Sequence, residues 1–325
     1  ESRCVHRHAA SAQCRACVQS CPRSAWSMDD DGLGFDDARC DGCGICTAAC
    51  PTGALAVALP WPTRRDRGEN TRSVTLRCER ASATASVPCV HAVDEARLLQ
   101  WHAEGVIRLD LATGPCNTCE RRPAEGLPER LARVNAVLQA RGQTPLRAER
   151  ATDEATAPAP TRRTPPVEAT PDLSRRRLFG LRKAPVVADP DADPFAALAP
   201  REAAARRLAA LGTGPSLWAV NLDPARCDAC GACARLCPTQ AISSSRPQAD
   251  ALGWIVLDSE RCIGCALCVD VCEPRALAAA EMAPSSNPRR TWTLVARTCS
   301  CCGKTHTVLK GHDASLQSRC PACRS

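Results

Sequence analysis

Aromatic side chains are few in this chain: three Phe, six Trp and no Tyr in 325 residues. A core packed around large rings is therefore not the expectation, and something else must hold much of the molecule together. Histidine is also scarce, with six residues. No nucleophile is paired with a base and no dinucleotide-binding glycine signature is present, which argues against a catalytic site. No stretch approaches the ~20 continuous apolar residues needed to span a bilayer. Residues 1–30 lack the apolar run of a secretory signal, so a cytoplasmic protein without a transmembrane segment is expected. The first residue is Glu1 rather than Met, and further sequence upstream is expected.

What the chain has instead is cysteine, 25 residues of it. A disulfide scaffold and a set of metal-binding thiolates are the two readings of such a count. Spacing separates them, because neighbours such as Cys43 and Cys46 are too close for easy bridging, whereas repeated Cys-x-x-Cys runs aim their sulfurs at a common centre. The runs recur. Residues 1–58 and 220–282 each hold two cysteine groups, each group closing on Cys-Pro or a near equivalent, which is an internal duplication.

In the second copy the runs are Cys227, Cys230, Cys233, Cys237-Pro238 and Cys262, Cys265, Cys268, Cys272. With Pro238-Thr-Gln-Ala-Ile242 and the strand-like Gly253–Asp258 beside them, residues 220–282 resemble the bacterial two-[4Fe–4S] ferredoxin family. One departure is Glu273-Pro274, where proline directly after the last cysteine is usual. The first copy repeats the pattern with Cys40, Cys43, Cys46, Cys50-Pro51, but its other half, Cys14, Cys17, Cys21-Pro22, lacks a cysteine two residues before Cys14. Cys4 is the candidate to replace it.

That resemblance implies crossed ligation, in which three close cysteines bind one cubane and the fourth crosses to the other. The expected sets are Cys4, Cys14, Cys17 and Cys50; Cys40, Cys43, Cys46 and Cys21; Cys227, Cys230, Cys233 and Cys272; and Cys262, Cys265, Cys268 and Cys237. Zinc is the competing occupant of thiolate pairs, but it leaves no use for a third evenly spaced cysteine. Small residues such as Gly231, Ala232, Gly264 and Ala266 let backbone N–H groups turn toward the sulfurs. Four clusters at about −2 each, counting their thiolates, would bring the formal charge of +7 to about −1, so the basic sum is poor support for nucleic-acid binding.

Between the modules, residues 71–142 read as strand Val74–Arg77, helix Val93–His102, strand Val106–Leu111 and helix Leu127–Arg141, with Cys78, Cys89, Cys116 and Cys119 at element ends. Val87-Pro88-Cys89, Gly105-Val106 and Cys116-x2-Cys119 look like the [2Fe–2S] delta-subunit family of hydrogenases and heterodisulfide reductases, with Cys78 alone where that family has a pair. A further iron–sulfur cluster, zinc and buried thiols all remain open for this group. Residues 143–215, rich in Pro, Ala and Arg, read as a linker permitting module motion, with a helical candidate at Arg201–Leu211. Within it Ser174–Phe179 resembles the twin-arginine-like start of ferredoxin-type accessory proteins of periplasmic nitrate reductase. The charged residues that follow argue against export.

The tail, residues 290–325, places knuckles Cys299-x2-Cys302 and Cys320-x2-Cys323 on either side of the strand-like Thr305–Leu309, after a strand at Trp292–Ala296, the spacing of a zinc ribbon that stands as a separate small unit. Cys301 is left over, with His306 and His312 as substitute ligands only if a knuckle cysteine turns away. The expected architecture is thus α+β: ferredoxin-like modules at 1–60 and 216–284, a small α/β domain at 71–142, a linker at 143–215 and a zinc ribbon. Four [4Fe–4S] clusters, one further Fe–S cluster as an option and one zinc are the expected cofactors. The ferredoxin resemblance implies a non-catalytic electron-transfer subunit serving dehydrogenase, hydrogenase or reductase partners. The alternatives are an assembly protein for a molybdenum or nickel oxidoreductase and zinc-dependent nucleic-acid binding.

Overall fold

The computed structural model describes residues 2–29, 32–59, 61–62, 65–67, 71–81, 85–151, 198–248, 251–280, 288–311 and 318–324. Ser174–Phe179 and His312 lie outside them, as do residues 152–197 of the expected linker.

The first module opens with helix α1 (Ala16–Ser20), then the antiparallel hairpin β1 (Trp26–Asp29) and β2 (Gly32–Phe35), then helix α2 (Ile45–Ala49). Trp26 and Phe35 face each other across the hairpin with ring centroids 4.6 Å apart. The helices are a turn long because each exists to carry cysteines out of a loop. Ile45, fully buried, anchors α2.

The middle domain is a four-stranded sheet in the order β3-β4-β5-β6, from β3 (Arg65–Arg67), β4 (Thr71–Arg77), β5 (Arg108–Ala112) and β6 (Arg147–Arg150). β4, β5 and β6 run parallel, which requires crossovers, and helices α3 (Glu95–Ala103) and α4 (Leu127–Ala140) supply them. Asp94 caps α3 by accepting the Arg97 N–H at 2.7 Å. At the start of α4 the Leu127 N–H donates to His91 Nδ1 at 3.0 Å. A Cβ on Gly126 would collide with that ring, so the position needs glycine for the close approach although its φ is ordinary.

Two parts of the expected linker belong to this domain. β6 completes the sheet although all four of its residues are exposed, so no alternation of apolar side chains announced it. Helix α5 (Pro200–Ala210) packs on α3, burying Ala203, Ala204 and Leu208 in the same core as Val74, Leu76, Leu98, Trp101 and Leu138. Alanine at the contact lets the two helix axes come close. Arg141, at the end of α4, donates to the carbonyls of Leu208, Gly212, Gly214 and Pro215 and so fixes the end of α5.

Trp101, 1% exposed, is the largest fully buried side chain and meets Trp61 edge to face at 6.2 Å. Trp101→Ala should cost about 3–5 kcal/mol, the range for truncating a buried aromatic. Denaturant unfolding followed by far-UV circular dichroism checks this, and a change below about 1 kcal/mol would contradict the packing described.

The second module pairs β7 (Ala219–Leu222) with β10 (Leu277–Ala280), encloses helices α6 (Ala232–Leu236) and α7 (Leu267–Asp270), and carries the hairpin β8 (Ile242–Ser245) and β9 (Gly253–Asp258). The tail is continuous with it. β11 (Arg289–Thr298) pairs through Arg289–Leu294 with β9 and through Leu294–Thr298 with β12 (Thr305–Leu309), giving one sheet in the order β12-β11-β9-β8. The expectation of a separate small tail unit is therefore corrected: a ten-residue strand is long enough to serve both. Leu294 and Leu309 pack in the module's own core. The short helix α8 (Pro321–Arg324) ends the described chain.

Candidate metal centres

Each regular cysteine loop bends through two left-handed residues at matching places: Gly42 and Gly44, Ala229 and Gly231, Gly264 and Ala266, with φ between 55° and 76°. Alternation of this kind turns successive N–H groups inward and forms an anion-binding concavity. Those N–H groups face the sulfurs: Ile45 to Cys43, Ala229 to Cys227, Ala232 to Cys230, Gly264 to Cys262 and Leu267 to Cys265. After the Cys-Pro turns, or their equivalent at Cys272, the N–H of Ala25 reaches Cys21 Sγ at 3.3 Å, that of Ala54 reaches Cys50 at 3.3 Å and that of Ala276 reaches Cys272 at 3.2 Å. The irregular loop differs, since Arg15 lies at φ −125°.

The structure brings the crossed sets together. Cys237 joins Cys262, Cys265 and Cys268 around a cavity of 380 Å³. Cys272 joins Cys227, Cys230 and Cys233 around a narrower one of 30 Å³. Cys4, Cys14, Cys17 and Cys50 line a third of 640 Å³, so the distant Cys4 stands where the irregular loop needs a fourth thiol. Cys21 and Cys40 flank Cys46, whose sulfur accepts from the Trp26 side chain.

Burial pushes the thiols up: Cys17, Cys43 and Cys227 to about 11, Cys233 and Cys262 to about 12, and Cys268 higher still. Thiols raised this far stay protonated on their own, so the binding of a cationic centre must release their protons. A single ion does not suit them. Among the described residues only Cys299, Cys302, Cys320 and Cys323 bring three or more ligand atoms within 4.8 Å of one another, whereas the module thiols stand further apart, around a space for a multi-atom group. The donor set and the inward N–H groups fit an iron–sulfur cluster.

In the middle domain Cys78 ends β4, Cys89 follows on the adjoining loop, and Cys116 and Cys119 bracket a turn after β5. Cys89 is pushed up to about 12 by burial, with Cys78, Cys43 and Cys119 adding repulsion. This group is thus at the C-terminal edge of the parallel sheet and beside the first module. In the tail, Cys302 and Cys320 sulfurs stand 3.7 Å apart. The Cys299 thiol is held down at about 5 because backbone N–H groups, the Cys320 N–H first, point at its sulfur. Cys301 is exposed and outside that convergent group.

Sequence reasoning missed the residues that hold these sites together. Arg121, 7% exposed, donates to Asp41 Oδ2 at 2.7 Å and Glu79 Oε2 at 2.9 Å. Arg201 donates to the Ala49 carbonyl in the first module and the Ile263 carbonyl in the second, with its guanidinium 4.9 Å from the Trp218 ring centroid. An acid directly after Cys40 and after Cys78 was the available signal. Among the described residues no helix is long and apolar enough to cross a membrane.

Residues 12–55 and 215–277 each match the family described as 4Fe-4S dicluster domain. Hydrogenase-4 component A of Escherichia coli is 31% identical over 88 residues, covering 22% of this chain and 43% of that protein. Electron transport protein HydN of Escherichia coli is 33% identical over 78 residues, 24% of this chain and 42% of that one. The chain therefore spans less than half the length of these two relatives. An uncharacterized ferredoxin of Methanocaldococcus jannaschii is 30% identical over 61 residues, 18% of this chain but 79% of the relative. With two matched domains, loops shaped to present thiols to clusters, and most of a ferredoxin's length covered, the chain belongs to the iron–sulfur ferredoxins of the 4Fe-4S dicluster type.

Proposed function

We propose that this chain is a polyferredoxin subunit that relays electrons between redox enzymes through four [4Fe–4S] clusters, held by the crossed thiol sets. A bound cubane takes up or gives up one electron at a time. The chain's own part is to hold such groups close together, dry on one side and reachable on the other. The observation that carries the reading is the contact between modules: Cys265, Ile263 and Leu267 of the second pack with Val5, Ala12 and Cys14 of the first, and the Gln13 N–H donates to Asp270 at 2.9 Å. Thiol sets from both copies thereby meet across one buried seam.

Exposed Cys230 and Cys40 give access from outside. Arg235 and Arg246 donate to the Cys230 carbonyl at 3.1 and 3.4 Å, so a partner docking at that end presents an acidic surface. The names of the relatives, a hydrogenase component and an electron transport protein, favour a hydrogenase or dehydrogenase as that partner. In the tail, a four-thiolate zinc shell with Zn–S near 2.3 Å sets sulfurs about 3.8 Å apart, and the 3.7 Å seen between Cys302 and Cys320 suits it. The first module, the middle domain with β6 and α5, and the second module with the tail joined to its sheet carry these sites together, in the cytoplasm.

Anaerobic co-purification from the native host tests this. A stoichiometric complex with a mature oxidoreductase is expected, and its binding should weaken with salt if Arg235 and Arg246 steer it. Transient capture of an enzyme lacking its cofactor would instead favour an assembly role.

A further inference from the structure

The middle cysteine group is absorbed neither by the ferredoxin domains nor by the convergent tail site. Three observations join it to the first module. Cys43, Ile45 and Cys89 form a buried cluster of their own. A Cβ on Gly44 would lie 3.2 Å from Ala92 Cβ, so the cysteine loop of the first module lies against the turn that follows Cys89. Two ion pairs cross the same seam, Arg23 to Glu120 at 3.1 Å and Arg121 to Asp41 at 2.7 Å, and Arg121 also holds Glu79 at 2.9 Å.

Arg121 thus ties the residue after Cys40 to the residue after Cys78. Its side chain is 9% exposed, so its charge is weakly screened by water and acts on whatever the thiols on either side hold. A single-ion shell is a poor match for the middle thiols, because no three of them come within the spacing seen in the tail. The second module meets the first at Cys14 and Cys265, while the middle group meets it at Cys43, on the other cysteine set.

We propose that Cys78, Cys89, Cys116 and Cys119 hold an iron–sulfur cluster that ends an unbranched relay, in the order Cys227 set, Cys262 set, Cys14 set, Cys40 set, middle set, with Arg121 as the positioning residue of the last step. This rests on the electron-relay reading above. The last step moves one electron from the Cys40 set to the middle set, oxidising the first and reducing the second, with no bond made and no proton transferred. The electron comes from a protein donor at one end and leaves to a protein acceptor at the other. The guanidinium, shared between the two sets, makes both easier to reduce than they would be without it.

The test uses the full chain, prepared anaerobically, with iron, sulfide and zinc counted and low-temperature paramagnetic spectra recorded on stepwise reduction. Wild-type protein should carry more iron than the four dicluster sites need. Cys89→Ser should remove that excess and sharpen the signal of the Cys40 set, leaving the Cys227 set unchanged. Cys119→Ser, at a half-exposed position, gives the same reading if the buried Cys89 variant fails to fold. Arg121→Gln should keep the iron but lower the potentials of the Cys40 and middle sets alone, and Arg121→Lys should restore them in part.

The proposal is overturned if zinc fills the middle site, or if the variants lose no iron. It is equally overturned if they lose iron without altering the Cys40 signal, or if Arg121→Gln leaves both potentials in place. Failure of the electron-relay reading itself looks different: the dicluster signals are then missing from wild-type protein.

Discussion

Cys237→Ala should abolish the cluster carried by Cys262, Cys265 and Cys268 and leave the one carried by Cys227, Cys230 and Cys233. The expected loss is about four irons and about four sulfides per chain. Cys237 belongs by sequence to the Cys227 run, yet it caps the end of α6 in an extended conformation and lines the cavity of the other set. Its counterpart Cys272 crosses the opposite way. Alanine is cleaner than serine, whose oxygen can itself bind iron. Spectra of the reduced full-length variant should keep the Cys227 signal and lose the broadening that a close reduced neighbour imposes. Loss of the Cys227 signal alone would mean local ligation, and the sets assigned to the first module would fall with it.

Cys320→Ser should remove about one zinc per chain and loosen the end of the sheet while sparing the clusters. Cys320 is buried at the centre of the convergent four, its N–H donating to Cys299 and its sulfur facing Cys302. Without metal little holds the two knuckles together, and hydrogen exchange across Thr305–Leu309 should rise by orders of magnitude. The Arg289–Leu294 half of β11 keeps its partner β9, so iron content should not change. Zinc affinity of the metal-free protein should also rise with pH. The Cys320 and Cys323 thiols are both pushed up, Cys320 by burial and Cys323 by sharing with its neighbours, so binding must displace their protons. Unchanged zinc in the variant, or a parallel loss of iron, would contradict a separate metal site.

Much of this was legible in the residues. The Cys-x2-Cys-x2-Cys-x3-Cys spacing implies short loops whose small residues let N–H groups turn toward the sulfurs, while the crossing of the fourth thiol is what the ferredoxin resemblance implies. The parallel strands of the middle domain showed themselves as short apolar runs between helical periods. β6 did not, since Arg147–Arg150 is exposed throughout and its place is set by backbone pairing with β5 and the Arg108–Glu149 ion pair. α5 reads as a helix at Arg201–Leu211 but as part of the linker, because alanine and arginine give no sign of packing, yet Ala203 and Ala204 are what allow close contact with α3.

The seams were illegible for a different reason. Cys14 and Cys265 are remote in sequence, and so are Cys43 and Cys89, and no local pattern states which surface of one module meets the next. Arg201 and Arg121 looked like two among many basic residues. Only their three-dimensional partners, two carbonyls from different modules for one and two carboxylates from different domains for the other, set them apart. Nor did the tail's spacing reveal that its first strand is shared with the second module.

Iron and acid-labile sulfide counted on the anaerobically purified full-length chain, alongside its low-temperature spectrum after dithionite reduction, test the central claim most directly. At least about sixteen of each per chain is predicted, from four irons and four sulfides in each of the four dicluster sites. The reduced signals should overlap and broaden as neighbouring sites are reduced together. A chain that holds zinc and no iron, or one whose signals stay sharp and isolated, would contradict it.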